Sequence, residues 1–115
     1  MRIDTLKKNK EFGRVYSRGR SRSTRLLVLV YLEGRYGGVR VGFSVSKKVG
    51  GSVVRNKARR RMKEAFRALL PQIGGKNAHL VFIARAAISE AQYAQIAADM
   101  RYLLKKCGLI GGKEG

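Results

Sequence analysis

The chain has 115 residues, of which 26 are Lys or Arg and seven are Asp or Glu, so its net charge is +19. Because 44% of the residues are hydrophobic, the charge belongs to a folded basic domain, and it predicts a polyanionic partner such as nucleic acid. A chain of this length is expected to form one core. We therefore expect a single α/β domain over residues 1–110 and a disordered tail over residues 111–115.

Cysteine use and hydropathy exclude several classes of protein. Cys107 is the only cysteine, so neither a disulfide framework nor a cysteine-rich zinc site is available. No run reaches the roughly 18 apolar residues of a membrane-spanning helix, and no apolar segment of a signal peptide follows the basic N-terminus. We expect a cytoplasmic, soluble protein that has no membrane partner.

A first helix is predicted between Asn9 and Gly19, where Phe12, Val15 and Tyr16 follow helical spacing. Asn9 is a suitable N-cap, and Gly19 suits the position after the last turn. Phe12 and Tyr16 lie one turn apart, and rings on a basic protein can stack on unpaired bases. Core packing is the alternative for both rings, and spacing alone does not decide between the two roles.

Three segments are predicted to be strands. Residues 25–32 form an apolar run, residues 39–46 alternate with period two, and residues 79–84 form a second apolar run that we expect to be buried. The first two of these segments are close in sequence. We expect them to pair with each other as antiparallel strands.

A second helix is predicted from about Ser52 to the residues before Pro71. One side of this helix is apolar and comprises Val54, Ala58, Met62, Ala65, Phe66 and Leu69. The other side carries Asn56, Arg59, Arg60, Lys63 and Arg67. Like charges four residues apart destabilise an isolated helix, so this side indicates a surface for a polyanion, with a merely solvated face as the alternative.

A last helix is predicted after Ser89 and Gln92, which have the spacing of a capping box. Gly108 ends its apolar stripe, which comprises Ile96, Met100, Leu103, Leu104 and Cys107. The residues alone thus predict an α+β protein with the element order αββαβα.

No catalytic group of side chains is apparent. The seven acidic residues are scattered, and His79, the only histidine, begins an apolar strand, which favours a structural or exposed role over a catalytic one. Gly50 and Gly51 precede a helix N-terminus but lack the Gly-Lys-Ser/Thr ending of a nucleotide-binding loop. We expect backbone N–H groups there to bind phosphate, and we expect no protein metal site.

Two motifs resemble a known family. Val-Ser-Lys-Lys-Val-Gly at 45–50, followed by Arg-Asn-Lys-Ala-Arg-Arg-Arg-Met-Lys-Glu-Ala-Phe at 55–66, is similar to the signature of the bacterial ribonuclease P protein subunit. The segments 6–19 and 83–85 resemble the opening helix and last strand of that family. The resemblance implies an αβββαβα fold like ribosomal protein S5 domain 2, with a mixed sheet, a left-handed βαβ crossover and an additional strand near Arg20–Ser23.

The resemblance also implies a function: a protein that accompanies a catalytic RNA in removing the 5′ leader of precursor tRNA. The implied partners are that RNA, with Mg²⁺ held mainly by it, and precursor tRNA, whereas the protein alone is expected to be a monomer. Carried over, the residues near the catalytic RNA and the cleavage site are Lys47, Lys48, Arg55, Asn56, Lys57, Arg59, Arg60 and Lys63. Phe12 and Tyr16 would line the cleft for the single-stranded leader.

The sequence leaves two alternatives, one at the cleft and one in function. Relatives often have a cleft aromatic on the second strand, where this chain has Val30 beside Tyr31, and a shift of one residue reverses the face of the sheet. The alternative function is a structural RNA-binding protein of the ribosomal type, which has the same charge but no role in cleavage.

Overall fold

The structure is a computed structural model that describes residues 3–34, 37–73 and 76–111. Within these residues, the elements are α1 (Asn9–Arg18), β1 (Arg20–Ser23), β2 (Leu27–Glu33), β3 (Val39–Ser44), α2 (Ser52–Leu69), β4 (Ala78–Ala84) and α3 (Tyr93–Lys106). Short 3-10 helices follow α2 and β4, at Leu70–Gln72 and Ala86–Glu90. The predicted αβββαβα fold is confirmed. Of the expected tail, residues 112–115 lie outside the described residues.

The four strands form one mixed sheet in the order β1-β2-β4-β3. β4 pairs antiparallel with β2 and parallel with β3, so the expected pairing of 25–32 with 39–46 is wrong. The physical reason is burial: six of the seven residues of β4 are buried, and a strand covered on both faces belongs in the centre of a sheet. β3, α2 and β4 form the parallel crossover, whose left hand stays an expectation from the resemblance.

Helices cover the two faces of the sheet unequally. On one face, α2 and α3 enclose the main core, in which the rings of Phe43, Phe66 and Phe82 lie 5.8 to 6.2 Å apart between centroids. On the other face, α1 packs through Val15 onto a smaller cluster that includes Val30 of β2 and Val81 of β4. Since α1 is short, part of this second face remains open.

Two helix starts differ from the sequence-based expectation. Lys8, not Asn9, is the N-cap of α1, and Gln92, not Ser89, is the N-cap of α3. At α3, the side-chain Oε1 of Gln95 accepts a hydrogen bond from the backbone N–H of Gln92 at 2.8 Å. A side chain inside the first turn can satisfy the same backbone groups as a capping residue before it, and the sequence alone does not distinguish the two.

The end of α3 follows the prediction. Gly108 adopts a positive φ of 82°, a conformation that favours glycine, and the N–H of Leu109 then donates to the carbonyl of Leu104 at 3.0 Å. Ile96, Met100, Leu103 and Leu104 are buried, as the apolar stripe predicts, whereas Cys107 is half-buried.

Candidate nucleic-acid interface

The main core fixes the orientation of α2. Ala58, Met62, Ala65, Phe66 and Leu69 are all buried, so the opposite side of the helix faces solvent. Val54 departs from the expected apolar side, since it is 37% exposed and lines a groove with Ile88 of the 3-10 helix that follows β4. It lies in the first turn of α2.

The residues predicted to bind the catalytic RNA lie on this outer side of α2, in the turn before the helix or, for Arg55, in its first turn. Lys47, Lys48, Asn56, Lys57, Arg60 and Lys63 are exposed, whereas Arg55 and Arg59 are half-buried. The Arg59 guanidinium donates a hydrogen bond to Asn56 Oδ1 at 3.0 Å. Arg67, one turn beyond Lys63, instead pairs with Glu64 of the same helix.

The structure separates these residues into two flanks. Arg59 and Lys63 line an open cleft between α2, β3 and α1. Lys57 lies on the other flank, in the groove that also contains Val54 and Arg61. Arg61 donates a hydrogen bond to the carbonyl of Ala91 at 3.0 Å, which joins this flank to the segment before α3.

The cleft between α2, β3 and α1 joins two features that the sequence presents separately. Its lining comprises Thr5, Leu6, Phe12, Val41, Gly42, Phe43, Arg59 and Lys63. An aromatic ring from the first helix and two cations from the basic helix therefore border one open space. A ring stacks on a base while cations contact phosphates, so the lining suits a single-stranded nucleic acid.

The two aromatic residues of α1 differ in their surroundings. Phe12 is half-buried and packs against the small cluster under α1, whereas Tyr16 is 47% exposed. Their ring centroids are 6.4 Å apart, with the ring planes inclined by 47°. Phe12 thus combines packing with an accessible edge, and Tyr16 lies one turn further along the same exposed side.

The register of β2 decides which side chain faces α1. Val30 packs in the cluster beneath α1, whereas Tyr31 is 8% exposed in the main core on the opposite face. β2 therefore contributes Val30, and not an aromatic ring, to the face beside the cleft. Val28 of β2, Ile83 of β4 and Ser44 of β3 form a neighbouring row on that face and are only half-buried. Sequence reasoning missed this row, although the period-two alternation of the strands contains it.

An ion pair fixes the start of α1 to the sheet. Glu11 Oε2 lies 2.7 Å from Nη1 of Arg40 on β3, and Glu11 Oε1 accepts hydrogen bonds from the backbone N–H groups of Lys7 and Lys8 at 3.0 and 3.1 Å. These backbone hydrogen bonds lower the pKa of Glu11 below its usual value, and the nearby charges of Arg40 and His79 add to the effect.

His79 pairs with Arg40 across β4 and β3 and is 6% exposed. Burial lowers the pKa of its imidazole, because desolvation disfavours the charged form. Within residues 3–34, 37–73 and 76–111, no group of three or more His, Cys, Asp and Glu side chains has the arrangement of a metal site. In the same ranges, no helix combines the length and the hydropathy that crossing a membrane requires.

Comparisons with known proteins identify relatives along nearly the whole chain. The family model described as Ribonuclease P matches residues 1–108. The ribonuclease P protein component of Clostridium botulinum (strain 657 / Type Ba4) is 47% identical over 109 residues, which cover 95% of this chain and 98% of that protein. The corresponding protein of Thermoanaerobacter sp. (strain X514) is 42% identical over 113 residues, which cover 98% and 97%.

Two solved structures of RNase P proteins have the same fold as this chain. The RNase P protein of Staphylococcus aureus superposes with a TM-score of 0.85 at 30% identity, and the alignment covers 96% of this chain and 100% of that chain. The RNase P protein of Thermotoga maritima superposes with a TM-score of 0.80 at 25% identity, with 90% and 96% covered.

Proposed function

We propose that this chain, which belongs to the family of ribonuclease P protein components, binds both the catalytic RNA and the 5′ leader of precursor tRNA. Proteins of this family are part of the endoribonuclease complex that processes tRNA. In this proposal the RNA subunit cleaves the leader, and the protein supplies binding surfaces. In this proposal the protein acts in the cytoplasm, where its partners are the catalytic RNA and precursor tRNA. Without them it is a monomer.

One observation carries the leader-binding part of the proposal: Phe12 shares a cleft with Arg59 and Lys63. A single strand needs a ring for its bases and cations for its phosphates, and sequence-tolerant binding follows because every base has a stacking face. The cleft is open at the surface, and Tyr16 extends the aromatic side beyond it. Such a site suits a leader whose sequence differs from one tRNA to the next.

The outer side of α2 supports the second part, binding to the catalytic RNA. In the proposal, Arg55, Asn56, Lys57, Arg60 and the preceding Lys47 and Lys48 contact that RNA near the cleavage site. Most of these side chains are exposed, and the four that belong to α2 are held on a rigid element by the buried side of that helix. Arg59 and Lys63 lie between the two surfaces and would bring the leader close to the catalytic RNA.

The charge balance supports an accessory role in the chemistry. With 26 basic and seven acidic residues, the protein is suited to neutralising phosphates that would otherwise repel one another in an RNA active site. We propose that Mg²⁺ is held mainly by the RNA, and that the protein lowers the concentration of Mg²⁺ that cleavage requires.

Cleavage of precursor tRNA by the matched RNA subunit, measured over a range of Mg²⁺ concentrations with and without the protein, tests this proposal. We expect the protein to shift cleavage to lower Mg²⁺ and to show no cleavage by itself. Equal rates with the protein alone would assign the chemistry to the protein. If the protein binds the RNA without changing cleavage at any Mg²⁺ concentration, the alternative of a structural RNA-binding protein is supported instead.

A further inference from the structure

The cleft has four walls, which are the segment before α1, α1 itself, β3 and α2. The first three meet at the carboxylate of Glu11. The first wall is the segment before α1, whose Thr5 and Leu6 line the cleft. The next two residues, Lys7 and Lys8, donate their backbone N–H groups to Oε1 of Glu11 at 3.0 and 3.1 Å. The carboxylate thereby fixes the path of the chain as it leaves the first wall and enters α1.

The second and third walls are α1 and β3. Glu11 precedes Phe12, which is the contribution of α1 to the cleft. Its other oxygen, Oε2, lies 2.7 Å from Arg40, two residues before the cleft residue Gly42 on β3. Both residues are partly shielded from solvent, with 21% of the Glu11 side chain and 43% of the Arg40 side chain exposed.

The first and third walls are also joined by their backbones. The N–H of Leu6 donates to the carbonyl of Val41, and the N–H of Val41 donates to the carbonyl of Asp4, both at 3.0 Å. These bonds attach the segment to β3 but do not fix α1. Within the described residues, the other ion pair, Glu64 with Arg67, lies inside a single helix, so Glu11 with Arg40 is the one that joins two separate elements.

We infer that Glu11 is a positioning residue of the leader-binding cleft. Its carboxylate holds the N-terminal segment, α1 and β3 in the arrangement that presents the Phe12 ring to an unpaired base. Hydrogen bonds to a charged carboxylate are stronger than those between neutral groups, so one side chain suffices for this role. The inference rests on the proposed function and deepens it, because Glu11 acts through Phe12 and not by contact with RNA.

The test uses two pairs of variants in the assembled ribonucleoprotein. Glu11→Gln and Arg40→Gln break the ion pair from its two sides and change the net charge in opposite directions. Glu64→Gln and Arg67→Gln make the same chemical changes in the ion pair within α2, and neither Glu64 nor Arg67 lines the cleft. The readout is the ratio of the affinities for precursor tRNA and mature tRNA, with melting temperature and binding to the catalytic RNA measured alongside.

We expect both cleft-side variants to lower the affinity ratio about three- to tenfold, which corresponds to losing part of one base–aromatic stack. The two control variants should leave the ratio unchanged. A shift in opposite directions for Glu11→Gln and Arg40→Gln would show a plain charge effect and would overturn the inference. An equal loss in the controls would overturn it as well.

Tyr16→Ala separates this inference from the proposed function. If Tyr16→Ala lowers the ratio while Glu11→Gln and Arg40→Gln do not, the leader binds along the aromatic side of α1 and the positioning role of Glu11 is refuted. If none of the three substitutions changes the ratio, the leader uses neither the cleft nor the aromatic side of α1 that extends it, and both proposals fail.

Discussion

The ring of Phe12 lies directly over Gly42. A Cβ at Gly42 would stand 2.4 Å from Cε1 and 2.5 Å from Cζ of the Phe12 ring, closer than nonbonded carbon atoms approach. Glycine at this position of β3 therefore lets α1 place an aromatic ring against the sheet. The same approach makes Phe12 and Gly42 adjacent parts of the cleft lining.

Gly42→Ala should displace the Phe12 ring. Because the ring also packs on the cluster beneath α1, we expect a loss of about 1–3 kcal/mol in the free energy of unfolding, the usual cost of overpacking. The affinity for precursor tRNA should fall more than that for mature tRNA. Urea unfolding and paired binding measurements check the two effects, and an unchanged stability would show that the sheet accommodates the added methyl group.

Gly13→Ala is the matched control. Gly13 lies next to Phe12 in α1, and an added Cβ there meets nothing within 4 Å. Replacing an exposed helical glycine by alanine should stabilise the protein by about 0.4–1 kcal/mol, because the unfolded chain loses conformational freedom. The precursor preference should stay the same.

Arg59→Ala and Arg60→Ala should separate the two RNA surfaces of the proposal. Each should reduce the log–log slope of RNA affinity against salt concentration by about one unit if its guanidinium neutralises one phosphate. Arg59 lines the cleft, so its substitution should also reduce the preference for precursor tRNA, whereas that of the fully outward Arg60 should weaken both tRNAs equally. Binding isotherms at several salt concentrations provide both quantities.

Arg101→Ala supplies the control for a lost positive charge. Arg101 is exposed on α3, where it donates a hydrogen bond to Gln72 at 2.8 Å, and it lines no part of the cleft. An equal change of slope in Arg101→Ala would indicate a diffuse effect of net charge, and α2 would then lose its status as a distinct RNA surface.

Local patterns in the sequence determine most of the fold. The like-charged segment at 52–69 is a helix because its apolar residues recur on one side, and Gly108 ends α3 because a positive φ suits glycine. The order of the strands is not a local property. β4 lies far from β2 in sequence but between β2 and β3 in the sheet, since its burial on both faces decides its place.

The site was predictable in its parts but not in its assembly. Spacing indicated Phe12 as an aromatic candidate and Arg59 as a cation on the outer side of α2. That both border one cleft follows from the packing of α1 and α2 on opposite faces of the sheet, around the β3 edge. Glu11 was not predicted as a site residue, because its partner Arg40 lies 29 residues away and no periodic pattern connects the two.

The buried His79 predicts a pH dependence of stability. Since burial lowers its pKa below 6.5 in the folded protein, the unfolded chain binds the proton first as the pH falls through that value. The contribution of His79 to the free energy of unfolding should therefore be fully present above pH 6.5, and it should decrease as the pH falls towards the lower pKa of His79 in the folded protein. Glu11 and Arg14 on α1 and Arg40 on β3 are the charges that act on this imidazole.

Urea unfolding between about pH 7.5 and 5.5 measures this decrease, and His79→Gln should flatten it. A separate loss is expected as the pH falls below 4.5, because the Glu11 carboxyl group binds a proton there in the unfolded chain before it does in the folded protein, where its pKa is lower. An identical pH profile in His79→Gln would mean that another group titrates in the upper window.

The exposed ring of Tyr16 should distinguish precursor from mature tRNA. Only the precursor has an unpaired 5′ strand, and base–aromatic stacking contributes about 1–3 kcal/mol per base, so Tyr16→Ala should weaken precursor binding by up to this amount and leave mature tRNA nearly unaffected. Tyr16→Phe keeps the ring and should be nearly neutral. Tyr93→Ala is the matched control, because Tyr93 is similarly exposed, at 42% against 47%, but lies on α3. Equal losses for both tRNAs in Tyr16→Ala would assign this ring to general RNA docking and remove it from the leader site.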